Sequence, residues 1–179
     1  MEIMKFKSVD IFPTTLLTIN IGSDSTNEIL TEVKGKKKQI VDNGYTSENY
    51  TTDYKNNIKI DSFEFVANHI KNKFHNNNIK FVLNDYWVAI YNSFGYHATH
   101  THKFGIMHDQ NYSAILYLTG GAPTRFFSNN PSSYNNETEI DINPGDIIFF
   151  PSNLPHSYPP NKQENERYVI PFNCSLYEY

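Results

Sequence analysis

The sequence predicts a mainly β protein, an antiparallel sandwich or barrel of strands with N-terminal helices packed outside it. Helical patterns are confined to about the first 79 residues, whereas short apolar runs separated by turn residues follow them. Aromatic residues, mainly Tyr and Phe, make up 15% of the chain, and large rings favour packed β-structure. The length of 179 residues suits a single domain over 1–179, with N-terminal support over about 1–79 and a β core over about 80–179.

Charge and cysteine content exclude several classes of protein. The formal net charge of -4 argues against a nucleic-acid-binding surface, because such a surface needs a basic excess. The single cysteine, Cys174, rules out an intrachain disulfide and a multi-cysteine zinc site, and its apolar neighbours predict a buried thiol. No apolar segment has the length of a signal peptide or a membrane span. We therefore expect a soluble, cytoplasmic protein.

A strand and a helix are the first expected elements. β-Branched and apolar residues over 10–21 predict the strand, which follows a proline-marked turn. Ser25–Glu28 has the capping-box pattern, and apolar residues follow it at helical spacing. The helix is therefore expected to run from about Thr26 and to be interrupted or ended by Gly35.

A second helix fits Asp61–Phe74, because apolar residues repeat along one face and Asp61 or Ser62 can cap it. The segment 42–58, which lies between the helices, is rich in Asn, Thr, Tyr and Lys and has no clear period. It is predicted to be an exposed connection.

Short runs with the apolar and β-branched content of strands fill the second part of the chain, and Gly, Pro and Asn turns separate them. The runs cover residues 81–83, 86–91, 97–102, 113–118, 124–127, 139–142, 147–150 and 167–173. Helices first and many short strands afterwards are typical of a β-sandwich or barrel that carries helices outside.

The segment His97–His102 contains three of the seven histidines. Alternate side chains of an extended segment share a face, so His100 and His102 are expected to point into one pocket. Imidazole suits Fe, Zn, Cu and Ni, and the fold must bring in a further ligand, for which His156 is the candidate. His97 is an alternative to His100, although its odd spacing from His102 predicts the opposite face of a regular strand. His-x-His alone is also compatible with an accidental His-rich loop.

Arg167 begins the last alternating strand, a short distance after His156. Either its side chain points inward with Val169 and Pro171, or it faces solvent. An arginine inside a barrel must find an anion, and a dicarboxylate cosubstrate would supply one.

The order of these motifs resembles that of the iron(II)- and 2-oxoglutarate-dependent oxygenases. In particular it resembles the prolyl-4-hydroxylase-like branch and the small phage and bacterial oxygenases that have His-x-His. The resemblance covers roughly residues 85–175, and its order and spacing are more specific than any one motif. The matching stretches are Ile90-Tyr91, His100-Thr101-His102, Ser113–Leu118, Pro144–Ser152, His156 and Arg167–Asn173.

This resemblance implies a double-stranded β-helix, the jellyroll of cupin-like proteins, and a site for Fe(II), 2-oxoglutarate and O2. The implied iron ligands are His100, His102 and His156. Arg167 would bind the distal carboxylate of 2-oxoglutarate, Tyr117 would donate a hydrogen bond to it, and Tyr91 would lie beside the cosubstrate. The family reaction couples decarboxylation of 2-oxoglutarate, which gives succinate, to hydroxylation of an unactivated C–H bond.

One position departs from the family pattern. The usual facial triad has two histidines and one carboxylate, whereas His102 stands in the carboxylate position here. A neutral ligand leaves the iron more positive and changes how it holds water, cosubstrate and oxygen. Asp109 would supply the carboxylate if its loop folded back, and His108 is expected at the pocket rim or on the surface.

Two other functions use the same fold: a cupin-like module that binds a metal or a sugar without turnover, and a cupin-type metalloenzyme independent of 2-oxoglutarate. Arg167 discriminates, because the oxygenase needs it inside the barrel. The substrate, a small molecule or a protein side chain, is expected to meet the loops 103–111 and 128–138 at the entrance. Tyr158, Asn173 and Trp87 are candidates to line the pocket, although core positions would explain them as well.

Overall fold

The computed structural model describes residues 7–11, 14–54, 58–102, 111–128 and 137–178. It confirms the mainly β class, with strands that pair antiparallel throughout these residues. In chain order the strands are β1 (Lys7–Ile11), β2 (Thr14–Asn20), β3 (Tyr45–Thr46), β4 (Tyr50–Thr52), β5 (Ile79–Tyr86), β6 (Ala89–Tyr91), β7 (His97–His100), β8 (Tyr112–Tyr117), β9 (Thr124–Phe127), β10 (Glu137–Ile140), β11 (Asp146–Pro151), β12 (His156–Tyr158) and β13 (Arg167–Glu178).

The strands form two sheets. The larger sheet has nine strands in the order β1-β2-β11-β8-β13-β6-β4-β3, and β5 also pairs with β13. The smaller sheet has four strands in the order β10-β9-β12-β7. Strands from the N-terminal region, β1 to β4, therefore lie in the same sheet as the late strands β8, β11 and β13.

The alternation of β8, β11 and β13 builds two apolar cores. On one face of the larger sheet, buried residues from these strands face the smaller sheet and pack with its Phe126 and Tyr158. These inner residues are Ile115, Tyr117, Ile148, Phe150 and Val169. Their neighbours in sequence point to the opposite face and enter the second core, here called the outer core, to which the helices also contribute apolar residues. The core between the two sheets, here called the inner core, lies beside the histidines, so it positions the site.

Three helices lie among the described residues: α1 (Ser23–Gly35), α2 (Lys37–Asn43) and α3 (Asp61–His75). Apolar residues of each helix enter the outer core, and the ring of Phe74 on α3 meets Phe149 of β11 edge-on at 5.5 Å. Neither long helix is capped as predicted. The N-cap of α1 is Gly22 rather than the expected capping box, and no side chain caps α3 from its own first turn.

A side chain from α1 satisfies the start of α3 instead. The Glu32 carboxylate accepts hydrogen bonds from the backbone N–H groups of Asp61 and Ser62, each at 2.9 Å. The prediction of a local cap at Asp61 or Ser62 was therefore wrong, because a tertiary contact provides the acceptor that the free N–H groups need.

The prediction that 42–58 is an exposed connection was also wrong. The segment contains the end of α2 and the hairpin β3–β4, and β4 pairs with β6. Thr51, Thr52 and Asp53 are buried. This segment therefore belongs to the larger sheet and brings side chains to the site. Cys174 is buried, as predicted. Across the described ranges, no helix combines the length and the apolar character needed to cross a membrane.

Candidate metal centre

Strand pairing in the smaller sheet brings the three candidate histidines together. His100 is the last residue of β7, and His156, the first residue of β12, is its direct partner in the antiparallel register. His102 lies two residues beyond His100, where its backbone N–H donates to the carbonyl of Ser152 at 2.9 Å. His156 does not belong to β11, which ends at Pro151, but begins β12.

The ring nitrogens of His100, His102 and His156 that could bind a metal all lie within 4.8 Å of one another. The Nε2 atoms of His100 and His102 are 3.3 Å apart. Two imidazole nitrogens that each bind one ion at about 2.1 Å, at about 90–110° to each other, would be roughly 3.0–3.4 Å apart. The spacing therefore fits two ligands of one metal ion.

Hydrogen bonds fix which nitrogen of each ring is free. Nδ1 of His100 lies 2.9 Å from the carbonyl of Ala98, and Nδ1 of His156 lies 3.0 Å from the carbonyl of Leu154. A carbonyl oxygen only accepts, so both Nδ1 atoms carry the proton and both Nε2 atoms carry a lone pair. Two lone pairs that face each other repel unless a cation lies between them, which is a second reason why these residues fit a metal.

A side-chain network likewise leaves Nε2 of His102 as the ring nitrogen with the lone pair. Its Nδ1 lies 2.9 Å from Oδ1 of Asn173, whose Nδ2 donates to Oδ1 of Asp85 at 2.7 Å. The Ser113 hydroxyl also lies 2.9 Å from Oδ1 of Asn173. Since the carboxylate of Asp85 accepts the amide N–H, the amide oxygen is the atom that faces His102. Metal-binding histidines are typically held in this way by an acceptor behind the ring.

The three rings are neutral at neutral pH. Burial is the largest cause that lowers their pKa values, to about 4 for His102 and well below the usual value for His156. Burial also lowers the pKa of His100. Neutral imidazole is the form that binds a metal, so no proton has to leave these rings at pH 7 when an ion enters.

His97 lies on the same side as the other histidines. Its ring stacks on His100 at 4.1 Å, and its Nδ1 lies 3.4 Å from the Tyr91 hydroxyl. The prediction that it faces away was wrong, because the register of β7 with β12 shifts: His156 pairs with His100, whereas Tyr158 pairs with His97. One extra residue in β7 returns His97 to the inner face. His97 is not part of the three-histidine group.

Arg167 lies on the inner face of β13 and is 1% exposed. The alternation that it shares with Val169 and Asn173 matches the inward alternative rather than the surface one. Its guanidinium carbon lies 4.3 Å from the ring centroid of Tyr158 and 5.5 Å from that of Tyr117. Within the described part of the chain, Nε, Nη1 and Nη2 have no hydrogen-bond partner. Five buried N–H donors without an acceptor fit the carboxylate of a bound dicarboxylate.

The two tyrosines predicted beside the cosubstrate have different surroundings. Tyr91 lines the cavity and stacks on Tyr158 at 4.9 Å. The hydroxyl of Tyr117 is already engaged with Oγ1 of Thr124 at 2.6 Å, and Tyr117 is not among the residues that line the cavity.

A cavity of about 450 Å³ opens beside the histidines. Trp87, Asn173 and Tyr158 all line it. The sequence had left open whether these residues lie in the pocket or in the core. Tyr50, Thr52 and Tyr54 line it as well, and sequence reasoning missed them because it treated 42–58 as an exposed connection. Asp109, His108 and most of the two predicted entrance loops lie outside the described residues.

Comparisons with known proteins agree with this geometry. Residues 85–173, about half of the chain, match a family model described as "Putative 2OG-Fe(II) oxygenase". All three histidines and Arg167 lie within the matched segment. The chain belongs to the 2OG-Fe(II) oxygenase family. A search of curated proteins found no match.

Solved structures of several enzymes share the fold at low sequence identity. A prolyl-4-hydroxylase from Pseudomonas putida has a TM-score of 0.60 and 13% identity, and the alignment covers 95% of this chain and 92% of that one. A prolyl hydroxylase from Trichoplax adhaerens, in complex with a hypoxia inducible factor peptide fragment, has a TM-score of 0.66 and 16% identity over 95% and 83% of the two chains. HygX from Streptomyces hygroscopicus, with nickel and 2-oxoglutarate bound, has a TM-score of 0.65 and 14% identity over 90% and 83%.

Proposed function

We propose that this chain is a non-haem iron(II) dioxygenase that couples decarboxylation of 2-oxoglutarate to hydroxylation of a small molecule or a protein side chain. The observation that carries the proposal is that the interior of the protein holds both a group of three histidines and a buried arginine, and that each of them needs a ligand. The ligand atoms of three neutral histidines converge within 4.8 Å of one another, and the guanidinium nitrogens of a buried arginine have no hydrogen-bond acceptor among the described residues. Iron(II) would bind to the histidines, and the distal carboxylate of a dicarboxylic 2-oxo acid would bind to the arginine.

The roles of the residues follow from their contacts. Nε2 of His100, His102 and His156 would hold the metal, while the oxygen atoms behind the rings keep each Nδ1 protonated. Bound iron(II) would supply the chelation of the 2-oxo acid and the activation of O2. Arg167 would neutralise the distal carboxylate in a dry environment, where a charged hydrogen bond is stronger than in water.

Apolar walls beside the histidines would limit the access of water to the reaction. Ile115 and Ala89 line the cavity from the larger sheet, and the ring of Phe150 meets His156 edge-on at 4.6 Å. A shielded site protects a reactive oxidant from side reactions. A substrate would enter past Tyr50, Tyr54 and Trp87, whose rings also line the cavity.

The proposal does not depend on a carboxylate in the usual triad position. His102 would leave the metal with one more positive charge than the usual triad does, and the chelating 2-oxo acid would bring negative charge to it. The cupin-like alternatives are less well supported, because a metal- or sugar-binding module has no need for a buried arginine without a partner. A reducing cytoplasmic setting, expected from the single cysteine, suits an iron(II) enzyme.

An anaerobic titration tests the proposal. Metal-free protein receives Fe(II) and then 2-oxoglutarate, and the visible charge-transfer band of the chelated oxo acid is followed. The parent protein should develop the band, His156→Ala should lose it, and Arg167→Met should need at least about 10-fold more 2-oxoglutarate. Two matched controls use residues that do not line the cavity: His75→Ala and Arg125→Met should behave as the parent. Iron binding without a band in the parent would contradict the proposal.

A further inference from the structure

Alternate residues of one segment, which runs from the end of β5 through β6, form a wall of the cavity. Asp85, Trp87, Ala89 and Tyr91 all line the cavity, because alternate side chains of an extended segment share a face. Asp85 and Trp87 are successive members of this series. A carboxylate and the indole of the single tryptophan therefore lie side by side at one end of the wall.

Tyr54 meets Trp87 from the neighbouring segment. Thr52 of β4 pairs with Ala89 of β6, so antiparallel pairing places Tyr54 opposite Trp87 two residues further on. The two ring centroids are 4.9 Å apart, and the rings are inclined by 71° to each other. Tyr54 is 49% exposed, whereas the ring of Trp87 lies 5.6 Å from that of His102. The aromatic pair therefore reaches from solvent to the candidate metal centre.

Asp85 makes this end of the cavity negatively charged. Among the described residues that line the cavity, Asp85 is the only acidic one, and none is a lysine or an arginine. The four histidines of the wall are neutral at pH 7, because burial lowers their pKa values. One oxygen of Asp85 accepts the hydrogen bond from Asn173, and a carboxylate can accept further hydrogen bonds.

Two rings and a carboxylate together favour a cationic ligand. The faces of tryptophan and tyrosine rings attract an ammonium group, and tryptophan does so most strongly. A flat neutral ligand such as a sugar ring would be better served by one broad aromatic face. Here the inclination of 71° makes the two rings a corner, which suits a rounded group such as a substituted ammonium.

We propose that Trp87, Tyr54 and Asp85 bind an ammonium group of the substrate, so that the substrate class is an amine, either a small molecule or a side chain. The inference rests on the proposed function, because it assigns the substrate of the same site. The ammonium group would lie in the corner of the two rings, beside His102. The carbon that faces the metal would then be a few bonds away from the nitrogen.

The test uses two probes of the same shape and different charge. Choline has a trimethylammonium group, and its isostere 3,3-dimethylbutanol has an uncharged tert-butyl group in its place. The quaternary nitrogen has no lone pair, so it cannot bind to a metal ion. Each probe is titrated into the metal-free protein and into the anaerobic protein loaded with Fe(II) and 2-oxoglutarate, with the fluorescence of Trp87 as readout. The parent should bind choline at least about 5-fold more tightly than the alcohol in both forms.

Matched variants separate the charge from the ring. Asp85→Asn removes the charge at nearly constant shape and should weaken choline binding about 5-fold or more, while affinity for the alcohol stays within about 2-fold. Tyr54→Leu should weaken choline binding about 3-fold or more, whereas Tyr54→Phe keeps the ring and should bind it as the parent does. Asp42→Asn, at an exposed position of α2 that does not line the cavity, removes the same charge elsewhere and should have no effect.

A parent protein that binds choline no more tightly than the alcohol, or not at all, would overturn the inference. Unchanged choline affinity in both Asp85→Asn and Tyr54→Leu would overturn it as well. Because Tyr54 is half exposed, Tyr54→Leu keeps the test decisive even if Asp85→Asn does not fold. Failure of the proposed function is distinguishable, since the parent would then develop no charge-transfer band with Fe(II) and 2-oxoglutarate, whatever its affinity for choline.

Discussion

Nδ1 of His102 lies 2.9 Å from Oδ1 of Asn173, and the amide nitrogen of Asn173 donates to Asp85 at 2.7 Å. The sequence places Asn173 some seventy residues after the histidine, yet the structure makes it the residue that sets the tautomer of His102. The Asp85 carboxylate, the Asn173 amide and the His102 imidazole therefore form a chain of hydrogen-bond donors and acceptors. The chain keeps the lone pair of Nε2 directed at its neighbours in the three-histidine group.

Asn173 is not one of the proposed metal ligands, but its substitution should weaken metal binding because it orients His102. We expect Asn173→Ala to raise the dissociation constant for Co(II) about 10- to 100-fold. Trp87 is the single tryptophan of the chain, and its ring lies 5.6 Å from that of His102, so quenching of its fluorescence reports the ion. Asn84→Ala, an exposed residue beside Asp85 on β5, is the control and should bind Co(II) as the parent does. Equal affinities in the parent and Asn173→Ala would contradict the role of this network.

Two adjacent glycines provide a paired test of the Arg167 position. Gly121 has a φ of +151°, and a Cβ built on it would lie 2.9 Å from Cδ of Arg167. At Gly120 the nearest atom to an added Cβ is Nε2 of Gln163, at 4.0 Å. Gly121→Ala should strain the backbone and displace the arginine, which would weaken 2-oxoglutarate binding about 10-fold while Fe(II) binding stays unchanged. Gly120→Ala should change neither. The charge-transfer titration measures both, and a normal 2-oxoglutarate affinity in Gly121→Ala would show that the arginine has room to move.

Acid should destabilise the metal-free protein through its buried histidines. Burial lowers the pKa values of His97 and His102 to about 4, whereas an unfolded histidine has a pKa near 6.5. The unfolded chain therefore binds more protons between these values, so stability is fully present above about pH 6.5 and is lost as the pH falls toward about 4. Urea unfolding of the metal-free protein at a series of pH values measures the slope.

A substitution assigns part of that slope. His97→Asn removes one of the lowered groups, so the free energy of unfolding should fall less steeply with decreasing pH, by at most about 1.4 kcal/mol per pH unit. The same change at His75, an exposed residue at the end of α3, is the control. A slope in His97→Asn as steep as in the parent would mean that other groups carry the pH dependence.

Glu32 should be a determinant of stability rather than of binding. Burial raises its pKa, but hydrogen bonds from Lys36 and from Ser62 outweigh this effect and lower the pKa to about 2. Loss of the charge in Glu32→Gln should cost about 1–2 kcal/mol at pH 7, since the carboxylate caps α3. The contribution is fully present above about pH 4.5 and is lost as the pH falls through about 2. Glu28→Gln, at an exposed position of the same helix, should cost little in the same urea titration. Equal stability of the two variants would contradict the capping role.

Much of the site was predictable because its main features follow from strand alternation. His100 and His102 share a face as any two alternate residues of an extended segment do. The same alternation places Arg167 on one face with Val169, but it left open whether that face points inward or to solvent, and the structure decides this. The long apolar strands and both long helices were also predictable from their periods. These features depend on residues that are close in sequence, so the pattern of apolar and polar residues predicts them.

The features that were missed depend on contacts between distant segments. β3 and β4 have two and three residues, too few for a period, and their place in the sheet comes from pairing with β6. His97 faces inward through a register shift, which no alternation predicts. Tertiary contacts also assign Glu32 as the cap of α3 and Asn173 as the partner of His102. Such residues have no local signature, because their function is set by what the fold places opposite them.

A crystal structure of the protein soaked anaerobically with Mn(II) and 2-oxoglutarate would test the central claim most directly, since Mn(II) replaces iron(II) without turnover. We predict that one ion will be bound by Nε2 of His100, His102 and His156 and by the oxo acid, whose distal carboxylate will lie at Arg167. An ion held elsewhere, or an oxo acid whose carboxylate does not reach Arg167, would contradict the assignment of this centre to 2-oxoglutarate chemistry.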